Sequence, residues 1–92
     1  MKRLQALRNF TAPVGGRKTR WRFAALRGEA GKCIGDDITL SPCQTERDLM
    51  GTVIHEWLHR TLPDLSEDAV TEREEELRFI LWEVFGYRRT LS

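Results

Sequence analysis

The only two histidines of the chain stand four residues apart, in the segment His55-Glu56-Trp57-Leu58-His59. Residues with this spacing share one face of a helix, so both imidazoles can bind the same zinc ion. Glu56 is rotated by about 100 degrees from His55, which places its carboxylate beside the ion rather than on it. There it can accept a proton from metal-bound water. The pattern H-E-x-x-H therefore predicts zinc-activated water with Glu56 as general base.

An accidental match would instead leave both histidines on a solvated helix face. Two histidines and nine glutamates in 92 residues make such a match rare by chance. The segment also falls within a helix that the apolar spacing predicts independently, as the motif requires. Zinc binding is therefore the favoured interpretation.

A zinc ion that keeps one position open for water needs a third protein ligand. Because both histidines are used, that ligand is a carboxylate or, less favoured, a cysteine. Glu67 and Glu74 extend the apolar stripe of the predicted second helix. A carboxylate on a buried face needs a partner, which is zinc or an arginine such as Arg60 or Arg73. The stripe itself consists of Val70, Leu77, Leu81 and Val84.

Between these two acids, Glu67 is the favoured ligand. The turn after His59 is short, so in a helical hairpin Glu67 lies level with the histidines. Glu74 lies about 10 Å further along the axis, at 1.5 Å per residue. We expect it to orient a histidine ring, although it also remains an alternative ligand. Three further acids near the turn are less favoured as ligands: Asp64, Asp68 and Glu72.

The first part of the chain predicts a small sheet. Residues 1–10 are ambiguous between a basic helix and a strand, and 13–16 form a break rich in Pro and Gly. Apolar residues at 21, 23 and 25 alternate with their neighbours, which is the period of a half-buried strand. Short strands are predicted at 32–34 and 38–40, joined by a turn.

Two helices follow in the prediction. The first begins at one of two caps, Ser41 or Thr45, and ends near Thr61 before a proline. The second begins after Ser66 and ends near Phe85, with Gly86 as its stop. The predicted fold is α+β, a small antiparallel or mixed sheet followed by two packed helices. We expect a single domain over residues 1–92. Its first part, to about residue 40, is basic and rich in β-structure, and its second part, about 41–87, is helical and binds the metal.

Composition predicts a cytoplasmic protein. No apolar run is long enough to span a bilayer, and the first residues lack the apolar core of a signal peptide. Cys33 and Cys43 do not make a disulfide framework, and we expect reduced thiols.

Charge is distributed unevenly along the chain. Residues 1–32 contain nine Lys and Arg and a single acid, whereas residues 33–92 contain six Arg and thirteen acids. Mutual attraction of the two parts within one fold is the favoured explanation, and binding of nucleic acid or an acidic partner is the alternative.

The stretch from Thr52 to Tyr87 resembles small zincin-like metallopeptidases, hydrolases common in bacteriophages and bacteria. The resemblance lies in Val53-Ile54-His55-Glu56-Trp57-Leu58-His59, in Leu62-Pro63-Asp64-Leu65-Ser66-Glu67, and in Leu81-Trp82 with Gly86-Tyr87-Arg88.

That resemblance implies a minimal zincin-like fold with the histidines as zinc ligands and Glu56 as base. It implies a downstream acid as third ligand, which Glu67 matches by position. It also implies that the strand Ile38–Leu40 lines the cleft and pairs with an extended peptide substrate. Arg60 departs from the family, which usually has an uncharged residue after the second histidine. Many zincins also use a second His or a Tyr to stabilise the oxyanion, and in this sequence Tyr87 is the only such residue left.

Three functions are therefore considered. The favoured one is a metal-dependent peptidase. The second is a non-catalytic module, stabilised by zinc, that binds a protein partner. The third is a nucleic-acid-associated protein, in which Trp21 and Phe23 stack on bases between Arg20 and Arg22.

Overall fold

A computed structural model describes residues 7–88, so part of the ambiguous stretch 1–10 lies outside the described residues. A four-stranded mixed sheet precedes two packed helices, which confirms the predicted α+β class. The strands are β1 (Phe10–Val14), β2 (Arg17–Phe23), β3 (Gly31–Ile34) and β4 (Asp37–Leu40). The helices are α1 (Glu46–Thr61) and α2 (Glu67–Arg78), and a π-helical segment, Phe79–Val84, continues α2.

The strand order is β1-β2-β4-β3, with β4 parallel to β2 and antiparallel to β3. β1 and β2 form a hairpin whose turn residues Gly15 and Gly16 both have positive φ, as tight hairpin turns require. Because β4 is paired on both sides, its backbone is not open to a peptide. The expectation that Ile38–Leu40 pairs with substrate is therefore wrong, and β3 is the edge strand beside α1.

The inner face of the sheet packs on α1. Trp21 is 5% exposed and lies in the core with Ile38, Leu40 and Leu49. Its ring stacks on Phe10 at a centroid distance of 5.5 Å. Trp21 is therefore not available for stacking on bases, contrary to the nucleic-acid hypothesis.

The arginines that alternate with the buried residues of β2 lie on the other face of the sheet. Arg20 and Arg22 are exposed there, and Arg20 Nε donates to Asp37 Oδ1 at 2.6 Å. That pairing lowers the pKa of Asp37. The strand is thus half-buried, as its alternation predicts.

Helix α1 begins at the second of the two predicted caps. Thr45 Oγ1 accepts from the Asp48 backbone N–H at 3.1 Å, whereas the Ser41 hydroxyl accepts from Cys43 before the helix starts. Ser66 caps α2 by accepting from the Ala69 N–H at 3.1 Å. Both caps satisfy backbone donors that a helix leaves unpaired at its first turn.

The helical region that begins with α2 ends near Phe85, as predicted. Its last turns, Phe79–Val84, are π-helical rather than α-helical. The Phe85 N–H donates to the Ile80 carbonyl, five residues back, at 3.0 Å. Gly86 then has a φ of 70°, which ends the helix. A second core cluster holds α2 to α1 and consists of Ile54, Leu58 and Val70.

Arg60 anchors the C-terminal end of α1 to the sheet. It is 6% exposed and donates to four acceptors on β2 and on the turn between β3 and β4. These acceptors are Thr19 Oγ1 at 3.2 Å, the Lys18 carbonyl at 3.3 Å, the Gly35 carbonyl at 2.9 Å and Asp36 Oδ1 at 2.7 Å. Arg60 therefore fixes the turn of helix that carries His59.

Cys33 is half-buried and Cys43 exposed, and the two are not joined by a disulfide, as predicted. Burial raises the pKa of the Cys33 thiol. Within residues 7–88, no helix is long and apolar enough to cross a membrane.

Candidate metal centre

His55 and His59 lie one turn apart on α1, and their rings face the start of α2. Their Nε2 atoms are 3.2 Å apart, with an angle of 66° between the ring planes. The helix alone produces this approach, because side chains four residues apart project from one face. Both rings are partly buried, so little freedom is left to lose when they bind an ion.

Glu67, the first residue of α2, closes the group. Its Oε1 is 2.7 Å from His55 Nε2, and its Oε2 is 2.9 Å from His59 Nε2. The turn between the helices is only five residues long, 62–66, and brings this carboxylate level with both rings. His55, His59 and Glu67 thus form a group positioned to bind a metal ion, with the acid favoured from the sequence.

The geometry of this group fits a small divalent ion. Around a tetrahedral zinc ion at 2.0–2.1 Å, neighbouring donor atoms are separated by about 3.3 Å. The nitrogen–nitrogen distance of 3.2 Å matches, and the carboxylate lies slightly closer. Two imidazoles and a carboxylate suit zinc and also other first-row transition metals.

Glu74 contacts the Nδ1 side of the His55 ring and does not belong to the metal group of His55, His59 and Glu67. Its Oε1 is 2.9 Å from His55 Nδ1, and its Oε2 accepts from Arg78 Nη1 at 3.2 Å. Because an ionised carboxylate only accepts, Nδ1 must carry the ring proton. Nε2 is then the ring nitrogen of His55 that faces Glu67 and His59, and it is the one that can bind a metal ion. This is the orienting contact that the sequence predicts for Glu74.

Glu56 is buried beside the group, against β3. It is 4% exposed, and its Cγ would lie 3.1 Å from a Cβ added to Gly31. Burial raises the pKa of Glu56, and the neighbouring His55 and His59 act in the opposite direction. A carboxylate with a raised pKa beside a metal group has the properties of a proton acceptor.

The remaining residues predicted for the site lie elsewhere. Tyr87 is exposed, its ring stacks on Phe85, and it does not line the cleft described below. Arg60 and Arg73 do not partner the acids of α2: Arg60 binds the sheet, and Arg73 donates to the Ala69 carbonyl. The three less favoured acids are exposed and lie outside the metal group: Asp64, Asp68 and Glu72.

The metal group lies where two open hollows meet, with volumes of about 540 and 400 Å³. One wall is β3 with the residues before it, and the other is the start of α2. The residues that line both hollows are Glu29, Gly31, His55, Glu56 and Glu67. A single cleft therefore passes along β3 and across the metal group.

The sequence did not point to three residues that shape this centre. Gly31 and Gly51 leave room for side chains that pack on them, and Arg78 pairs with Glu74. A glycine inside a predicted helix is the signal that could have drawn attention to Gly51, since glycine lowers helix stability. Gly31 carries no comparable signal, because it lies next to a predicted turn.

No protein-family model, no curated protein and no solved structure matches this chain. The resemblance to small zincin-like metallopeptidases therefore remains a prediction from the motif residues.

Proposed function

We propose that the protein binds zinc through His55, His59 and Glu67 and acts as a metal-dependent peptidase. One observation carries the proposal. Two ring nitrogens and a carboxylate converge within 2.7–3.2 Å of one another, beside the buried Glu56, in an open cleft. A metal site that only stabilises a fold is usually closed by four protein ligands, whereas three ligands with an open side are typical of catalysis.

Zinc held by His55, His59 and Glu67 would supply Lewis acidity for a peptide carbonyl and for the attacking water. Glu56 accepts the proton of the attacking water and then donates it to the leaving amine nitrogen. The raised pKa of this carboxylate favours the first transfer, because it makes Glu56 a stronger base than an exposed glutamate. Glu74 keeps the imidazole of His55 in the orientation that the metal group requires.

The edge of β3 supplies the means of holding a peptide. β3 pairs with β4 on one side, and its other side borders the cleft at Gly31. An extended peptide can add to such an edge through backbone hydrogen bonds. This position would carry the peptide past Glu56 and across the metal group.

The charge of the cleft favours substrates with basic side chains. Glu29 and Asp48 line the larger hollow and are exposed, and neither forms an ion pair with another residue of 7–88. Glu74 is neutralised by Arg78, and the remaining acids belong to the metal group or serve as base. A lysine or arginine side chain of the substrate can therefore lie in this hollow together with these two carboxylates.

A library of short peptides tests the proposal. With zinc-loaded protein, we expect peptide cleavage that a chelator stops and that added zinc restores. At low salt, peptides that contain Lys or Arg should be cut roughly 3–10 times faster than acidic peptides. The double variant Glu29→Gln/Asp48→Asn should lose most of this preference, and so should wild type in high salt.

The matched control is Glu75→Gln/Glu76→Gln, which removes two exposed acids of α2 that do not line the cleft. It should leave the preference unchanged. Equal rates for basic and acidic peptides would contradict the role of the cleft charge. No cleavage of any peptide by zinc-loaded protein would contradict the peptidase.

A non-catalytic binding module is the second candidate, and one observation favours it. Several large apolar side chains near the end of the described chain are exposed, namely Phe79, Ile80, Val84, Phe85 and Tyr87. An apolar surface of this kind often marks a contact with another protein. Zinc that raises the melting temperature without any peptide cleavage would support this candidate over the peptidase.

A further inference from the structure

Gly51 occupies a position where glycine is unfavourable. It lies inside α1, is buried, and precedes His55 by four residues, so the two share a face of the helix. Its φ is not positive, so the backbone does not require glycine here. Alanine would stabilise the helix relative to glycine at such a position. The reason for glycine must therefore lie in what packs against it.

The side chains that pack on Gly51 belong to the support of His55. A Cβ added to Gly51 would lie 2.6 Å from Glu74 Oε2 and 2.9 Å from Arg78 Nη1. These distances are shorter than contacts that a real Cβ makes. The Glu74–Arg78 pair thus rests directly on the bare backbone of α1. From there the other oxygen of Glu74 reaches His55 Nδ1 at 2.9 Å.

We infer that Gly51 is a positioning residue of the metal centre. Its missing side chain lets the carboxylate of Glu74 come close enough to α1 to accept the Nδ1 proton of His55. That hydrogen bond directs the Nε2 lone pair of His55 towards the metal group and makes it a stronger donor. The inference rests on the proposed metal centre, but not on peptidase activity.

The contact is suited to a test because the atoms in question are the ends of flexible side chains. A methyl group at residue 51 would push Glu74 and Arg78 aside rather than break the backbone packing. The variant Gly51→Ala should therefore fold, with a melting temperature of the metal-free protein at or above that of wild type. Its zinc affinity should fall by about 10- to 100-fold, as is usual when a histidine ligand loses its hydrogen-bond partner.

A double-mutant cycle shows whether Gly51 acts through Glu74. Zinc affinity is measured by competition with a chromophoric chelator for wild type, Gly51→Ala, Glu74→Ala and the double variant. We expect both single variants to weaken binding by similar factors and the double variant to be no weaker than Glu74→Ala. In the zinc-loaded protein, proton NMR should show an Nδ1–H of His55 that exchanges slowly with water in wild type and faster in Gly51→Ala.

Wild-type zinc affinity in Gly51→Ala would overturn the inference and leave the metal centre intact. Losses that multiply in the double variant would also overturn it, because Gly51 would then act independently of Glu74. If wild type itself binds no zinc, the metal centre fails, and the role of Gly51 fails with it.

Discussion

Glu56→Gln should reduce peptide cleavage by about 10²- to 10⁴-fold while the protein keeps its zinc. Glutamine has nearly the same size and cannot accept the proton of the attacking water. Glu56 is not among the metal group, so zinc content measured by elemental analysis should equal that of wild type. Cleavage of the fastest peptide of the library is the other measurement.

The same variant should make the metal-free protein more stable at neutral pH. Burial raises the pKa of Glu56 in the folded state, so the folded protein holds this proton more tightly than the unfolded chain does. Stability from this group is therefore present at low pH and falls as the pH rises from about 4.3 through the folded pKa. Glutamine removes that loss, which thermal melts at several pH values would detect.

Glu72→Gln is the matched control for Glu56→Gln, since it makes the same change at an exposed acid of α2. It should alter neither cleavage nor the pH dependence of the melting temperature. Cleavage retained by Glu56→Gln would contradict the role of Glu56 as base.

Arg60→Met should be the most destabilising of the substitutions considered. Methionine keeps much of the apolar stem but removes every donor, leaving the Thr19 hydroxyl and two backbone carbonyls without this partner. We expect a loss of roughly 2–4 kcal/mol in the free energy of unfolding. For a domain of this size, that lowers the melting temperature by about 10–30 °C, which calorimetry can measure.

The control for Arg60→Met is Arg20→Met, which breaks the exposed ion pair with Asp37. Because exposed pairs contribute little, its melting temperature should stay close to that of wild type. Equal effects of the two variants would show that Arg60 does not anchor the end of α1 to the sheet.

Features that depend on neighbouring residues could be predicted from the sequence. The cap at Ser66 and the stop at Gly86 follow from local hydrogen bonding and backbone preference, and both are confirmed. For the first helix the sequence leaves two caps open, Ser41 and Thr45, and the structure has Thr45. Glu67 could be favoured over Glu74 because a short turn leaves little choice in how the two helices align.

Features that depend on distant pairing could not be predicted in the same way. Nothing local distinguishes β3 from β4 as the edge strand, because the order depends on the parallel pairing of β4 with β2. The sequence offers Arg60 only as one of two alternative partners for the acids of α2, whereas its acceptors lie on a strand and a turn more than twenty residues earlier. The packing of Arg78 on Gly51 depends on the two helices being in contact, which no single segment encodes.

The metal content of the purified protein tests the central claim most directly. Elemental analysis would compare wild type with His55→Ala and Glu67→Ala, with Glu72→Ala as a control at an exposed acid of the same helix. We predict about one zinc per chain in wild type and in the control, and loss of zinc in the other two variants. Wild type that holds no metal even after zinc is added would contradict the metal centre. Full zinc content in Glu67→Ala would contradict the role of Glu67 as third ligand.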